Sequence, residues 1–286
     1  MHRITRTHDR RDLSVEEMSA THLDGLHSLS TSMGWPHRKE DWATHMLAGS
    51  GVVAVDGIGR VHGSAMYFSV GQRKTALGMV IAHPRLRLSD IGKRLIDEVG
   101  EATCDLRTTL NACSGDVGFY RSIGAKSIGQ VFQHEGSVRP CASHPSECSP
   151  ATFTDFTDIM DLDLEANGDD RSTLISAISN VSKTIILRRH GRLVGYAMKR
   201  VFGRGYVIGP VVATLDDYAI ALVDAFLSEL HGRFVRVDTQ VAGAKFRTYL
   251  VDRGLQQRQC VLQMELGQVS GPKSGMIYGL LSHSTG

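Results

Sequence analysis

Apolar residues along the first part of the chain follow two periods, one typical of helices and one of strands. Leu23, Leu26, Leu29 and Met33 lie at helical spacing, whereas Val61–Phe68 is a strand-like run. Helices are predicted over His22–Met33, Lys39–Leu47, Ile91–Cys104 and Asp116–Ile123, and strands over Leu13–Glu17, Gly51–Val55, Val61–Phe68, Thr75–Ala82, Thr108–Ala112 and Ser127–Glu135.

The second part of the chain repeats this order in reduced form. Helices are predicted over Arg171–Ser179, Asp216–His231 and Lys245–Arg253, and strands over Thr184–Arg188, Val194–Val201, Tyr206–Ala213, Val235–Thr239 and Gln259–Leu266. Because the same order occurs twice, the pattern predicts a duplicated α/β unit.

A proline-rich segment separates the two parts. Between Ser137 and Thr152 the chain carries Pro140, Pro145 and Pro150 and shows no apolar periodicity. Proline interrupts helices and removes a ladder donor, so the segment is interpreted as a linker. The predicted organisation is therefore a first domain over residues 1–137, a linker over 138–152 and a second domain over 153–286.

Composition narrows the classes of function. Hydrophobic residues make up 42% and charged residues 22% of the 286 positions, and the formal net charge is +2. No basic stripe predicts nucleic-acid binding, and no run of about 18 apolar residues predicts a membrane span. The basic residues near the start have no apolar stretch behind them, which argues against a secretory signal and for a cytoplasmic protein.

Five scattered cysteines argue against a disulfide framework. Cys141, His144 and Cys148 lie close together, but their spacing matches no common zinc module and no fourth ligand accompanies them. We therefore expect no metal site.

The most informative stretch is Leu77–Ile96, in which a strand enters a loop and then a helix. The first turn of a helix carries unpaired N–H groups and the positive end of the helix dipole, an arrangement that suits a pyrophosphate. Lys93, Arg94 and the loop residue Arg87 would add positive charge.

The pattern Arg87-x-x-Asp90-x-Gly92, preceded by Val80-x-x-His83-Pro84, resembles the acetyl-CoA motif of the GNAT acetyltransferase superfamily. The family has glycine where this chain has Asp90. Asp90 would either weaken or abolish cofactor binding, or act as the N-cap of a helix beginning at Ile91. The cofactor-binding residues implied by the resemblance are Met79, Val80, Ile81, Arg87, Leu88, Ser89, Asp90, Gly92, Lys93, Asn111 and Tyr120.

A second stretch, Leu110–Ala125, resembles the later strand and helix of the same family. By that resemblance Tyr120 lies near the CoA sulfur and acts as general acid to the leaving thiolate, or else is an ordinary helix aromatic. The implied mechanism is direct attack of an amine on the thioester, with Val80 or Ile81 N–H groups holding the oxyanion. His83 is the candidate base because its unperturbed pKa is about 6.5.

The Gly34-Trp35-Pro36 turn lies where GNAT enzymes form the acceptor pocket. Trp35 is interpreted either as a cation–π wall for an amine or as the packing aromatic of a rigid turn. Asp238 is a second candidate substrate-binding residue, with an exposed strand-end carboxylate as the alternative.

The second part of the chain resembles the C-terminal GNAT-like domain of two-domain bacterial acetyltransferases. The matching residues are Asp163-x4-Gly168-x2-Arg171, Gly195-Tyr196, Ile208–Ala213, Val237-Asp238 and the tail Ile277–Leu281, which returns across the structure in that domain. Gly209-Pro210 leads to Asp216 and Asp217, two negative charges that repel a pyrophosphate, so this part is not expected to bind CoA.

The sequence thus predicts two tandem GNAT-like α/β domains, each with a mixed, mostly antiparallel sheet flanked by helices. The predicted function is transfer of an acetyl group from acetyl-CoA to a primary amine of a small molecule. Two alternatives stay open: a degenerate CoA-binding or ligand-sensing protein, and a protein or peptide N-acetyltransferase. The sequence identifies neither the acceptor nor the oligomeric state.

Overall fold

The computed structural model describes residues 13–86, 88–103, 106–140, 147–267 and 275–285. Its first half contains β1 (Ser14–Glu17), α1 (Leu23–Ser32), α2 (Lys39–Ala48), β2 (Ser50–Val55), β3 (Val61–Val70), β4 (Lys74–Ala82), α3 (Lys93–Ala102), β5 (Arg107–Ala112), α4 (Val117–Ser122) and β6 (Lys126–Ser137). The second half contains β7 (Ser149–Pro150), α5 (Phe156–Asn167), α6 (Ser172–Ser179), β8 (Lys183–Arg189), β9 (Arg192–Phe202), β10 (Gly205–Ala213), α7 (Asp216–Leu227), β11 (Phe234–Thr239), α8 (Ala244–Asp252), β12 (Gln256–Leu266) and β13 (Ile277–Gly279).

The described strands form one sheet that runs through both halves of the chain. Its order is β1-β2-β3-β4-β5-β12-β6-β11-β10-β9-β8-β7, and β13 pairs with β10. Most neighbours are antiparallel, whereas β4 with β5 and β10 with β11 are parallel. The mixed, mostly antiparallel architecture is confirmed, but the two predicted sheets are joined into one. The predicted domain boundaries stay a prediction.

The halves are joined by an exchange of strands at the centre of the sheet. β12 lies between β5 and β6, two strands that follow each other in the chain, and pairs antiparallel with both. On its other side β6 pairs antiparallel with β11 over six residues. Strands from each half therefore hydrogen-bond to strands from the other.

Three apolar clusters fill the two faces of the sheet. One lies under α3 and includes Leu95 and Leu110, and a second lies under α7 and includes Phe226. The third joins α1 and α2 of the first half, through Trp42, to α5 and α6 of the second, through Ile175. The apolar contact between the halves thus extends from the sheet to its helices.

Helix α5 was not predicted from the sequence. Ile159, Leu162 and Ala166 lie on its buried face, but Asp158, Asp161 and other acidic residues between them obscure the apolar period. The helix ends at Gly168, which has φ 73°, a left-handed conformation that glycine adopts without the cost of a Cβ.

A buried polar network explains the motif Asp163-x4-Gly168-x2-Arg171, which connects α5 and α6. Arg171 donates to the two carboxylate oxygens of Asp163 at 3.0 and 2.7 Å, and the Tyr196 hydroxyl donates to the same carboxylate. All three residues are buried. A buried carboxylate needs such partners, so these motif residues tie α5 and α6 to β9.

The structure departs from the predicted elements at α3, at α7 and in the predicted linker. α3 begins at Lys93 rather than Ile91, because Leu88–Gly92 form a π-helical turn before it. α7 ends at Leu227, although Leu230 beyond it is still buried. In the predicted linker, Ser149–Pro150 pair with β8 at the edge of the sheet, where a proline can lie without removing a needed donor.

Within the described ranges, no helix is long and apolar enough to cross a membrane.

Candidate active site

Strand β4 carries a bulge that fixes the geometry of the site. Ile81 is paired with Ser64 and Gly78 with Met66, so that Met79 and Val80 together oppose the single residue Ala65. Met79 has φ 52°, a left-handed conformation that costs a side-chain-bearing residue about 1–3 kcal/mol. The Ser64 hydroxyl donates to the Met79 carbonyl oxygen at 2.8 Å and holds the bulge in place.

Beyond the bulge, β4 separates from β5. The parallel pairing runs from Lys74 with Arg107 to Leu77 with Leu110 and ends there. Met79 and Val80 border the resulting gap, which we call the β4–β5 gap, whereas Ile81 is buried in the core. Bulges next to a strand end commonly re-aim backbone groups at functional sites.

The β4–β5 gap opens into a cavity of ≈ 250 Å³ that both halves of the chain line. The first half supplies the turn Gly34–His37, the β4 residues Leu77–Val80 and the region around Tyr120. The second half supplies charged and polar side chains from β9 to β12, and the segment Ser282–Ser284 completes the wall.

Tyr120 lies in α4 with its side chain against this cavity. The residue is 6% exposed, and burial together with the Asp116 carboxylate raises the pKa of its phenol above the ordinary value. The hydroxyl therefore stays protonated through the neutral range and can donate a proton or a hydrogen bond within the cavity.

The turn between α1 and α2 forms another wall. Trp35 lines the cavity and also packs against the core, and its predicted role as a cation–π wall for an amine stays a prediction. His37 follows it, with its ring edge-on to Trp35 and to Phe202 at centroid distances of 5.5 Å. Burial lowers the pKa of His37 to about 3, so its ring is neutral.

Asp238 is buried, not exposed at a strand end as the alternative interpretation held. It is 2% exposed in β11, lines the cavity, and accepts hydrogen bonds from Arg236 at 2.7–3.1 Å. Arg200 lies nearby, donating to the carbonyl oxygens of Gly209 and Leu281, and burial lowers its pKa to about 10. The second half thus contributes buried charge of both signs.

Residues Ser282–Thr285, which we call the C-terminal tail, lie at the β4–β5 gap. Asn111 Nδ2 donates to the His283 carbonyl oxygen at 2.7 Å, and the Ser284 hydroxyl donates to Met79 Sδ at 3.3 Å. The Ser284 carbonyl oxygen lies only 2.4 Å from where a Cβ on Gly78 would stand. The predicted cofactor residue Asn111 therefore contacts the chain itself.

The predicted phosphate-binding residues form the turn that leads into α3. Leu88–Gly92 form its π-helical turn, and Lys93 pairs with Asp97 at 2.7 Å on the surface. Asp90 is exposed in this turn, and its predicted alternative role as N-cap is wrong because Gly92 occupies the N-cap position. Arg87 and the side chain of Ser89 lie outside the described residues.

His83 directly follows β4, and its predicted role as base stays a prediction. Its amide donates to the His62 carbonyl oxygen at 2.8 Å, and its ring is edge-on to that of His62. It is not among the residues that line the cavity with Tyr120. It follows Ala82 and so lies beyond Met79 and Val80, the residues that border the gap.

Cys141 and His144 lie outside the described residues. Among the residues that are described, no group of three or more His, Cys, Asp or Glu side chains is arranged to hold a metal ion.

Several cavity residues were not predicted from the sequence, including Asp116, Gln133, Arg200, Arg236 and His283. Arg236 stands between Val235 and Val237 in β11, and charged residues are seldom buried unless paired. That pattern was a usable signal for this arginine.

Comparison with known proteins agrees with this geometry. Residues 159–279 match the family described as acetyltransferase (GNAT) domain. An uncharacterized N-acetyltransferase of Bacillus subtilis (strain 168), YitH, is 23% identical over 93% of this chain and 95% of its own length.

Solved structures share the whole fold. A candidate acetyltransferase from Pyrococcus horikoshii matches with a TM-score of 0.81 and 17% identity, covering 100% of this chain and 99% of its own. A tandem GNAT protein from the clavulanic acid biosynthesis pathway matches with a TM-score of 0.65 and 14% identity, covering 91% and 100%.

Residues 159–279 are thus similar to a GNAT acetyltransferase domain, and the whole chain shares its fold with solved GNAT structures of tandem architecture.

Proposed function

We propose that this protein transfers the acetyl group of acetyl-CoA to the primary amine of a small molecule by direct attack. The observation that carries the proposal is the combination, in one cavity, of the Met79 bulge, the β4–β5 gap and the buried Tyr120 hydroxyl. In this proposal residues 1–137 form the cofactor-binding domain, 138–152 the linker, and 153–286 a domain that completes the acceptor pocket.

Each part of the cavity has a role in the proposed reaction. The thioester carbonyl would lie against Met79 and Val80, and the backbone N–H of Val80, one of the two groups predicted from the sequence, would stabilise the negative charge that develops on its oxygen. The amine nitrogen forms a bond to the carbonyl carbon, and the C–S bond breaks. Tyr120, kept protonated by burial, then gives its proton to the departing thiolate.

The enclosure of the cavity favours a small acceptor over a peptide. Trp35 from the first half and the Asp238–Arg236 pair from the second face the same space. An aromatic face and a carboxylate both attract a cationic amine, whereas a peptide acceptor would need an open groove.

Calorimetric titration of acetyl-CoA tests the first part of the proposal. Micromolar binding by wild type supports a cofactor site despite Asp90, which is exposed in the turn before α3. Binding that appears only in Asp90→Gly would instead favour a degenerate sensor. Absence of binding by both forms would refute the acetyl-CoA assignment.

Turnover tests the second part. Thiol release from acetyl-CoA would be followed with lysine, spermidine, glucosamine and kanamycin as primary amines, and product masses would identify the acetylated species. Tyr120→Phe is the matched variant, because it keeps the ring and removes only the proton-donating hydroxyl. Binding without turnover of any amine would contradict the enzymatic assignment.

A further inference from the structure

The segment Leu280–Ser284, which includes most of the C-terminal tail, passes both parallel strand pairs of the sheet. Gly209 in β10 and Gly78 in β4 stand at similar positions, two residues and one residue after the last pair with the parallel neighbour. A Cβ at Gly209 would stand 2.0 Å from the Leu280 carbonyl oxygen, and one at Gly78 would stand 2.4 Å from that of Ser284. Because both residues lack a Cβ, the same segment packs closely against the sheet at two places.

This path fixes the backbone of His283 between the two contacts. On one side the Leu280 amide donates to the Asp238 carbonyl oxygen at 2.8 Å. On the other, the His283 carbonyl oxygen accepts from Asn111, the residue after the last β4–β5 pair. The backbone and not the side chain of His283 holds the tail in place.

The imidazole of His283 is left available to the cavity. It lines the cavity with Tyr120 and Met79, and its Nε2 is buried without a hydrogen-bond partner among the described residues. Burial lowers the pKa of His283 to about 4, with Arg236 acting in the same direction and Asp238 against it. A buried polar nitrogen without a partner is costly unless something else occupies that position.

The other acid–base groups of the cavity already have partners or are held apart from the gap. Asp238 accepts from Arg236, and Glu135 lies 3.6 Å from Arg204. Asp116 lies beside Tyr120, where its negative charge keeps the phenol protonated. His37 Nδ1 is also buried without a partner among the described residues, but its ring is enclosed by Trp35, Trp42 and Phe202 at the acceptor turn.

We propose that His283 is the catalytic base that takes the proton of the attacking amine. The inference rests on the proposed function. As the new C–N bond forms, the nitrogen gives one proton to His283 Nε2; as the C–S bond breaks, the thiolate takes one proton from Tyr120. Solvent then removes the proton from His283 and returns one to Tyr120, so that amine and acetyl-CoA become amide and CoA.

The experiment compares His283→Ala and His283→Gln with His83→Ala, which removes the rival candidate base, a histidine that lies outside the cavity. For each variant we would measure acetyl-CoA affinity by calorimetry, and kcat by thiol release with the amine of the panel above that wild type acetylates fastest. We expect the kcat of both His283 variants to be lower than that of wild type by a factor of at least about 100, the usual contribution of a general base. Their acetyl-CoA affinity should stay within threefold of wild type.

Two readouts separate a proton acceptor from a structural side chain. Added imidazole should restore part of the kcat of His283→Ala, where a space is open, and little of that of His283→Gln. Wild-type kcat/KM should fall at acidic pH as the base becomes protonated. This fall should be lost in both His283 variants and kept in His83→Ala.

Three outcomes would overturn the inference. The first is a kcat within threefold of wild type in both variants. The second is wild-type turnover in His283→Gln after loss of folding in His283→Ala. The third is tighter acetyl-CoA binding with faster turnover on removal of the ring, which would make the tail an obstruction. A wild type that binds acetyl-CoA but acetylates no amine fails the proposed function itself, and the inference falls with it.

Discussion

Gly78→Ala should expel the C-terminal tail from the β4–β5 gap. The new methyl group would stand 2.4–2.7 Å from the carbonyl oxygen, Cβ and Cα of Ser284, closer than any stable contact. β4 is tied to β3 along its length and cannot retreat, whereas the tail is held by fewer contacts. The tail is therefore the part that moves.

The size of the effect follows from what the tail loses. Displacement breaks the hydrogen bond from Asn111 to the His283 carbonyl oxygen, worth about 1 kcal/mol, and exposes the buried Ser282 and Thr285. Overpacking of a close contact typically costs about 1–3 kcal/mol. We expect unfolding free energy to fall by about 2 kcal/mol, which in a chain of this size lowers Tm by roughly 3 °C.

Hydrogen exchange and thermal unfolding would measure this. The Ser284 and Thr285 amides, which donate to the Ser282 hydroxyl, should lose protection, while those of β4 keep theirs. Gly57→Ala is the control, because a Cβ there would meet nothing within 4 Å. Unchanged protection of the tail with unchanged Tm would refute the close packing on which the His283 inference depends.

Three further predictions concern the acid, the buried network and pH. Tyr120→Phe should lower kcat roughly 100-fold in the thiol-release assay and leave acetyl-CoA affinity unchanged; a kcat near that of wild type would remove Tyr120 as the acid. Asp163→Ala leaves Arg171 buried without its carboxylate and should cost about 3–5 kcal/mol in urea unfolding, whereas a loss below 1 kcal/mol would contradict the network. Burial lowers the pKa of His45 to about 4, so the folded state gives up stability as pH falls from about 6.5 towards 4. At pH 5 this amounts to roughly 2 kcal/mol, so the Tm of His45→Gln should fall less than that of wild type between pH 7 and pH 5; equal falls would contradict it.

The sequence predicted those parts of the fold that depend on local pattern. The strands around β4 and the helices α1 and α2 lie within a few residues of their predicted bounds. Periodicity failed at α5, where acidic residues interrupt the apolar face, and at the start of α3, where a π-helical turn takes the first residues.

Several residues named from the sequence line the cavity, although they come from separate parts of the chain. They are Trp35, Met79, Val80, Tyr120 and Asp238. His83 was predicted as the base because of its unperturbed pKa, but a sequence position just after a strand does not reveal whether the side chain lines the cavity. His283 could not be chosen, because only the pairing of β13 with β10 carries the tail to the first half.

The sheet has two similar gaps, one beyond each parallel strand pair, and the C-terminal part of the chain contacts them differently. In the second half, β13 pairs with β10 and the Leu280 amide bonds to β11, so the space between those two strands is filled by hydrogen-bonded backbone. A cofactor could enter there only by breaking these bonds. In the first half the tail meets β4 through Ser284 and β5 through Asn111, contacts made mainly by side chains at the mouth of the gap. This asymmetry supports the proposal that the cofactor binds in the first half, while the second half contributes side chains to the same cavity.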